Sequence, residues 1–177
     1  MKTSKTKLTT FGLTALMALA MSTYAFAGKG TPSELQYITL DQDGGYTLDK
    51  VSITWVRKRS GKKYDHTYQK NMINGDLGCY DLSRIKSDSG TPILEGDEVW
   101  LVADISAGET KSSRKSKKHY YKKNNQAWHL IMKGSTLNGN RIENNKEPVG
   151  RRCNAGKGNA KFWFDEESKT YIQPSEL

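Results

Sequence analysis

Glu98-Val99-Trp100-Leu101-Val102-Ala103-Asp104-Ile105 is the stretch that decides the fold class. Val99, Leu101, Ala103 and Ile105 recur at every second position, the period of a pleated strand with one buried face. Trp100 and Val102 make the opposite face apolar too, so this strand is expected at the centre of a sheet. Working towards the C-terminus, Tyr120-Tyr121 and Trp128 to Met132 continue the alternation, and Asn138-Gly139 signals a hairpin turn towards Ile142. From Glu143 onward the pattern weakens, and residues 143–177 read as a loop-rich tail.

Towards the N-terminus the same period returns. Leu35 to Leu40 is expected as a first strand, ended by Asp41-Gln42-Asp43-Gly44-Gly45. Tyr46 and Leu48 share one phase while Val51, Ile53 and Trp55 share the other. That change near Asp49-Lys50 predicts a β-bulge. Ser60-Gly61 then turns the chain into a return strand carrying Tyr64, His66 and Tyr68. Asn74-Gly75 marks another turn, Cys79 to Ile85 a further short strand, and Ser87 to Pro92 a loop. No helical stripe runs through residues 28–177 and no internal repeat is found. Seven or eight short strands separated by polar turns predict an all-β chain folded as an antiparallel β-sandwich.

The chain has 177 residues, 28 Lys+Arg against 19 Asp+Glu, 35% hydrophobic residues and two cysteines. Roughly 100–200 residues make one domain, so one is expected here. The length excludes a TIM barrel and a two-domain dinucleotide enzyme. Two cysteines exclude a disulfide-dense mini-scaffold and a four-cysteine zinc site.

Residues 1–27 read as a cleavable signal peptide. Lys2, Lys5 and Lys7 form a positive start, Leu8 to Met21 an uncharged apolar run, and Ala25-Phe26-Ala27 a small-x-small cleavage pattern. The run is 14 residues long, short of the ~20 that span a bilayer. The mature chain is therefore expected to be residues 28–177, exported to the periplasm or the extracellular space. In an oxidising compartment Cys79 and Cys153 are expected to pair. A loop of that length corresponds to roughly 4–5 kcal/mol in the chain-entropy account.

Charge is the most informative feature of the mature chain. Three windows contain no acid: Arg57, Lys58, Arg59, Lys62 and Lys63; then Lys111, Arg114, Lys115, Lys117, Lys118, Lys122 and Lys123; then Arg151, Arg152, Lys157 and Lys161. They hold 16 of the 25 basic residues left once Lys2, Lys5 and Lys7 are removed from the 28, so the remainder of the chain is net acidic. All three read as turns or strand ends, which a sandwich gathers at its two ends. Converging, they would attract an anionic surface in a salt-sensitive way. Kept apart, they would be solvated loops that protect sheet edges and solubility. The first two windows, with Tyr120 and Tyr121, form the candidate binding site. Anionic lipid head groups or sulfated glycan are the expected partners, and nucleic acid ranks lower because no nucleic-acid motif is present.

The remaining signals are weaker. Phe162-Trp163-Phe164, preceded by Lys157 and Lys161, reads either as a final strand that closes the core or as an interfacial anchor. The three histidines, His66, His119 and His129, could in principle support acid–base hydrolysis; strand-terminating histidines are the more ordinary outcome. Asp41-x-Asp43-Gly44 resembles the start of a calcium loop but lacks the later ligands and the closing Glu, so a tight turn explains it better. No His-Glu-x-x-His, Gly-x-Ser-x-Gly or phosphate-binding glycine loop occurs. The sequence thus favours a non-enzymatic binding protein with no cofactor or metal. A small secreted hydrolase, such as a nuclease, and a membrane-active toxin stand as alternatives.

Overall fold

Alternation from Leu35 onward is interrupted at a single residue, Gln36, and that interruption divides the chain between two sheets. The computed structural model describes residues 33–177 apart from 107, 116, 136–137, 146–156, 162, 166–169 and 173–177. In chain order its strands are Glu34–Leu35 (β1), Tyr37–Gln42 (β2), Leu48–Val56 (β3), Lys63–Met72 (β4), Leu77–Asp81 (β5), Glu98–Ile105 (β6), Glu109–Ser112 (β7), Tyr120–Tyr121 (β8), Ala127–Lys133 (β9), Arg141–Asn144 (β10), Lys157–Gly158 (β11), Trp163–Asp165 (β12) and Thr170–Ile172 (β13). A 3-10 turn, Leu82–Arg84, follows β5 with Asp81 as its cap, and no α-helix occurs among the described residues.

The first sheet runs β1-β8-β6-β3-β4, with β7 also paired to β6; the second runs β10-β9-β2-β5-β11. At Gln36 the chain passes from one to the other. Its amide and that of Tyr37 both donate to the Gln126 carbonyl, and its own carbonyl accepts from Leu82 N at 3.0 Å. The backbone is therefore satisfied while it changes layer.

An all-β fold is as expected; purely antiparallel sheets are not what forms. β1 pairs parallel with β8, β2 with β9, and β11 with β5. A period of two specifies faces, not neighbours, so it cannot tell a parallel from an antiparallel partner. The strands also outnumber the expected seven or eight, because short pieces such as β1, β7, β8 and β11 flank the longer ones.

Several expectations hold at residue level. β6 is central, paired with β3 on one side and with β7 and β8 on the other. The register between β3 and its neighbours shifts between Leu48 and Lys50, where the phase change placed the bulge. β9 and β10 form the hairpin signalled by Asn138-Gly139, with Gly139 at φ 75°. The inward residues of both sheets make one core: Ile53, Trp55, Val99 and Leu101 from the first meet Ile38, Leu40, Tyr80, Trp128 and Met132 from the second.

Part of the outer face of the second sheet, around β5 and the start of β2 and β9, is also buried, and the C-terminal segment helps to cover it. Tyr37, Leu77, Cys79, Ala127 and Ala160 form a second apolar cluster. Asn159 pairs with Asp81 as a strand would, accepting from the Asp81 amide at 2.9 Å and donating to its carbonyl at 3.0 Å. Gly158 passes so close to β5 that a Cβ there would lie 2.2 Å from the Cys79 carbonyl oxygen. Cys79 is fully buried and is not a free thiol. Cys153, Arg151, Arg152 and Phe162 lie outside the described residues, as do the side chains of the antiparallel β12–β13 ribbon.

Candidate functional site

The start of β6 is where the first two basic windows meet. Val56 and Tyr120 both pair with Glu98, and Val56 pairs with Lys63, so one end of the first sheet reads β8-β6-β3-β4 across Tyr120, Glu98, Val56 and Lys63. The β3–β4 turn that carries the first window leaves the sheet at this end. It is closed by Arg57 N donating to Lys62 O and Gly61 N donating to Arg57 O, both at 2.9 Å. Gly61 sits at φ 67°, a conformation that favours glycine.

Two adjacent carboxylates organise this corner, and strand geometry sends them to opposite faces. Asp97, 1% exposed, points to the inner side. Its Oδ1 accepts from the Lys58 amide at 3.1 Å, its Oδ2 accepts from the Leu94 amide at 2.9 Å, and Arg57 Nη1 lies 3.5 Å away. Arg57 also donates to the Pro92 carbonyl at 2.7 Å. The carboxylate therefore ties the basic hairpin to the 92–96 turn, where Gly96, at φ 84°, lies against the Lys58 stem.

Glu98, on the outer face, holds the second window. Arg114 approaches it with two nitrogens, Nε at 2.9 Å and Nη2 at 3.2 Å, and Lys118 Nζ lies at 3.3 Å. Burial pushes the Glu98 carboxyl up, but the hydrogen bonds and charges of Arg114 and Lys118 outweigh this and hold it below the usual carboxylate range. Arg114 also covers the outward ring of Trp100, 4.3 Å from its centroid, which accounts for an apolar residue on that face.

The candidate residues consequently fall into different circumstances. Lys58, Arg59, Lys62 and Lys63 are exposed and have no ion-pair partner among the described residues. Lys62 stands over the Tyr64 ring at 5.2 Å. Arg57 is structural. In the second window Arg114 and Lys118 are held by Glu98, and Lys122 by Glu34 at 2.7 Å. Lys115 lies close enough to Glu143 to help hold that carboxyl down, though Arg141 does more. Lys123 and Lys117 are exposed. Lys111 is at the far end of β6, paired with Glu109. Tyr120 is 37% exposed, whereas Tyr121 belongs to the core. In the third window Lys157 lies on the second sheet, 2.7 Å from Asp76.

The histidines occupy separate surroundings. His119 is buried and stacks on Trp128 at 3.8 Å. His129, the next residue along β9, faces the other side of the sheet, where its Nδ1 lies 2.9 Å from Thr39 Oγ1. Burial lowers its pKa to about 4, so it is neutral at pH 7. His66 is on β4, 4.6 Å from the Tyr68 ring and 3.5 Å from Asp88. Among the described residues, no three His, Cys, Asp or Glu side chains gather as metal ligands would. No helix among the described residues is long and apolar enough to cross a membrane.

Sequence reading did not single out Asp97, Glu98, Glu34 or Leu94 as parts of this site. Asp97-Glu98 did carry a signal: two acids at the mouth of the most apolar strand, preceded by a turn glycine.

No protein-family model matches the chain, and no curated protein matches it. Among solved structures it is similar to a protein from Eubacterium rectale determined by NMR, with 10% identity, 64% of this chain and 91% of that one covered, and a TM-score of 0.38. It is also similar to pneumolysin, with 15% identity, 63% and 23% covered and a TM-score of 0.33. For listeriolysin O the values are 13% identity, 62% and 22% covered and a TM-score of 0.32. The match thus spans about a quarter or less of the length of pneumolysin and of listeriolysin O. Likenesses this low carry no inference about function.

Proposed function

We propose that the chain is an exported, non-enzymatic protein that binds an anionic surface, lipid head groups or sulfated glycan, through the basic corner of its first sheet. The observation that carries this reading is the β3–β4 turn. Lys58, Arg59, Lys62 and Lys63 project from a hydrogen-bonded hairpin with no carboxylate ion-paired to them among the described residues. Cations without an intramolecular carboxylate are the ones that gain by meeting an external anion, at about 1 kcal/mol per basic residue near a charged membrane. Arg114, Lys117, Lys118 and Lys123 extend the field along the adjoining edge. In this reading the signal peptide is removed and Cys79 pairs with Cys153, fastening the tail across the second sheet.

The test is co-sedimentation of the oxidised mature chain with anionic and neutral vesicles, and retention on heparin beads, over a salt series. Retention on either anionic probe that is lost as salt rises is the expected result. Absence of retention on both at low salt would overturn the proposal.

A further inference from the structure

Three large apolar side chains are exposed among the described residues: Ile73, Leu94 and Tyr120. Two of them stand at the basic corner. Leu94 is 50% exposed, and its backbone is fixed from both sides, its amide donating to Asp97 Oδ2 at 2.9 Å and its carbonyl accepting from Asp97 N at 3.0 Å. The same turn is bound to the basic hairpin through Arg57 and to the β8 end through Gly96 N, which donates to Tyr121 O at 2.8 Å, and through Glu95 Oε1, which accepts from Lys123 N at 3.1 Å. An exposed leucine is thereby held between Arg57–Lys63 and Lys122–Lys123, and Tyr120, 37% exposed, lies on the adjoining strand paired to Glu98. Ile73 lies at the opposite end of the sheet, in the β4–β5 turn.

We infer that the occupant of this corner is an anionic lipid bilayer, with Leu94 entering the head-group boundary, Tyr120 lying at head-group level and the hairpin cations meeting lipid phosphates. The inference rests on the proposed binding of an anionic surface and selects between its two partners. A sulfated glycan offers sulfates to the cations but no apolar phase for an aliphatic side chain. A bilayer offers both, and apolar burial adds to electrostatic attraction at its interface. Tyrosine is suited to that level because its ring is apolar and its hydroxyl is wet.

The experiment compares the mature chain with Leu94→Asn, Leu94→Trp and Ile73→Asn. The probes are phosphatidylserine-containing vesicles and heparin beads, and a urea midpoint checks each variant's fold. Leu94→Asn is expected to weaken vesicle partitioning by about fivefold to tenfold and to leave the heparin elution salt unchanged. Leu94→Trp should tighten vesicle binding with a blue-shifted emission, and Ile73→Asn should behave as the unmodified chain. Leu94 variants that bind vesicles as the unmodified chain does would overturn the bilayer assignment while leaving anion binding intact. If the unmodified chain binds neither probe, it is the underlying reading that fails.

Discussion

The two basic windows at the start of β6 have similar sequences and opposite surroundings. Arg57–Lys63 is a tight hairpin in which one cation, Arg57, is used internally while Lys58, Arg59, Lys62 and Lys63 face outward. Lys111–Lys123 holds more charge, yet much of it is spent within the molecule: Lys111 on Glu109, Arg114 and Lys118 on Glu98, Lys122 on Glu34. The acids that do this come from other segments, so a window without acids in sequence need not be unneutralised in space. The density of basic residues overstates the second window, and geometry makes the hairpin the better anion site.

Removing Asp97 should break the comparison most severely, because it fastens both the hairpin and the Leu94 turn. Asp97→Ala leaves the Lys58 and Leu94 amides without their acceptor and Arg57 without its carboxylate partner, at a cost of about 3 kcal/mol. Urea denaturation measures this, and a loss under about 1 kcal/mol would mean that the corner does not depend on the carboxylate.

Replacing Arg59, Lys62 and Lys63 together by Ala should weaken binding to anionic vesicles at low salt by about 100-fold, with the urea midpoint little changed. The corresponding Lys115, Lys117 and Lys118 triple should lose only about fivefold, because Glu98 already engages Lys118. Vesicle titration of both triples, side by side, reads the difference.

Glu98→Gln should convert part of the second window into something like the first. Releasing Arg114 and Lys118 from a carboxylate is expected to raise anionic-vesicle affinity about threefold, and unchanged or weaker affinity would show that these cations stay on Trp100 or elsewhere. The pH dependence of stability has a definite sign. The Glu98 pKa is lowered in the folded chain, so its ionised form stabilises the fold fully above the unfolded carboxylate pKa near ~4.3. That contribution is lost as pH falls through the lowered, folded value. Stability of the Gln variant should therefore fall less between pH 5 and 3 than that of the unmodified chain.

Sequence reading carried the fold a long way and the site only part of the way. The β3 bulge, the central position of β6 and the opposite directions of Tyr120 and Tyr121 all follow from a period-two pattern, which is local. The break at Gln36 does so only in part: the adjacent apolar Tyr37 and Ile38 change the phase between Leu35 and Leu40, but it takes tertiary hydrogen bonds to turn that change into a switch of sheets. Parallel pairing of β2 with β9 is illegible for the same reason. At the site, the basic windows could be read as charge, but the pairing of Glu34 with Lys122, 88 positions apart in the chain, could not. Leu94 carries no signal of its own, since nothing in Ile93-Leu94-Glu95-Gly96 says which of the two apolar side chains stays outside.

The salt dependence of vesicle binding tests the central claim most directly, measured for the unmodified chain and the two triple variants on one set of anionic vesicles. Cations that meet the surface release counterions, so removing them flattens the plot of log affinity against log salt. The expected result is a marked flattening for Arg59/Lys62/Lys63→Ala and a slight one for Lys115/Lys117/Lys118→Ala. Equal slopes for all three proteins, or a larger effect from the second triple, would contradict the assignment of the anion site to the β3–β4 hairpin.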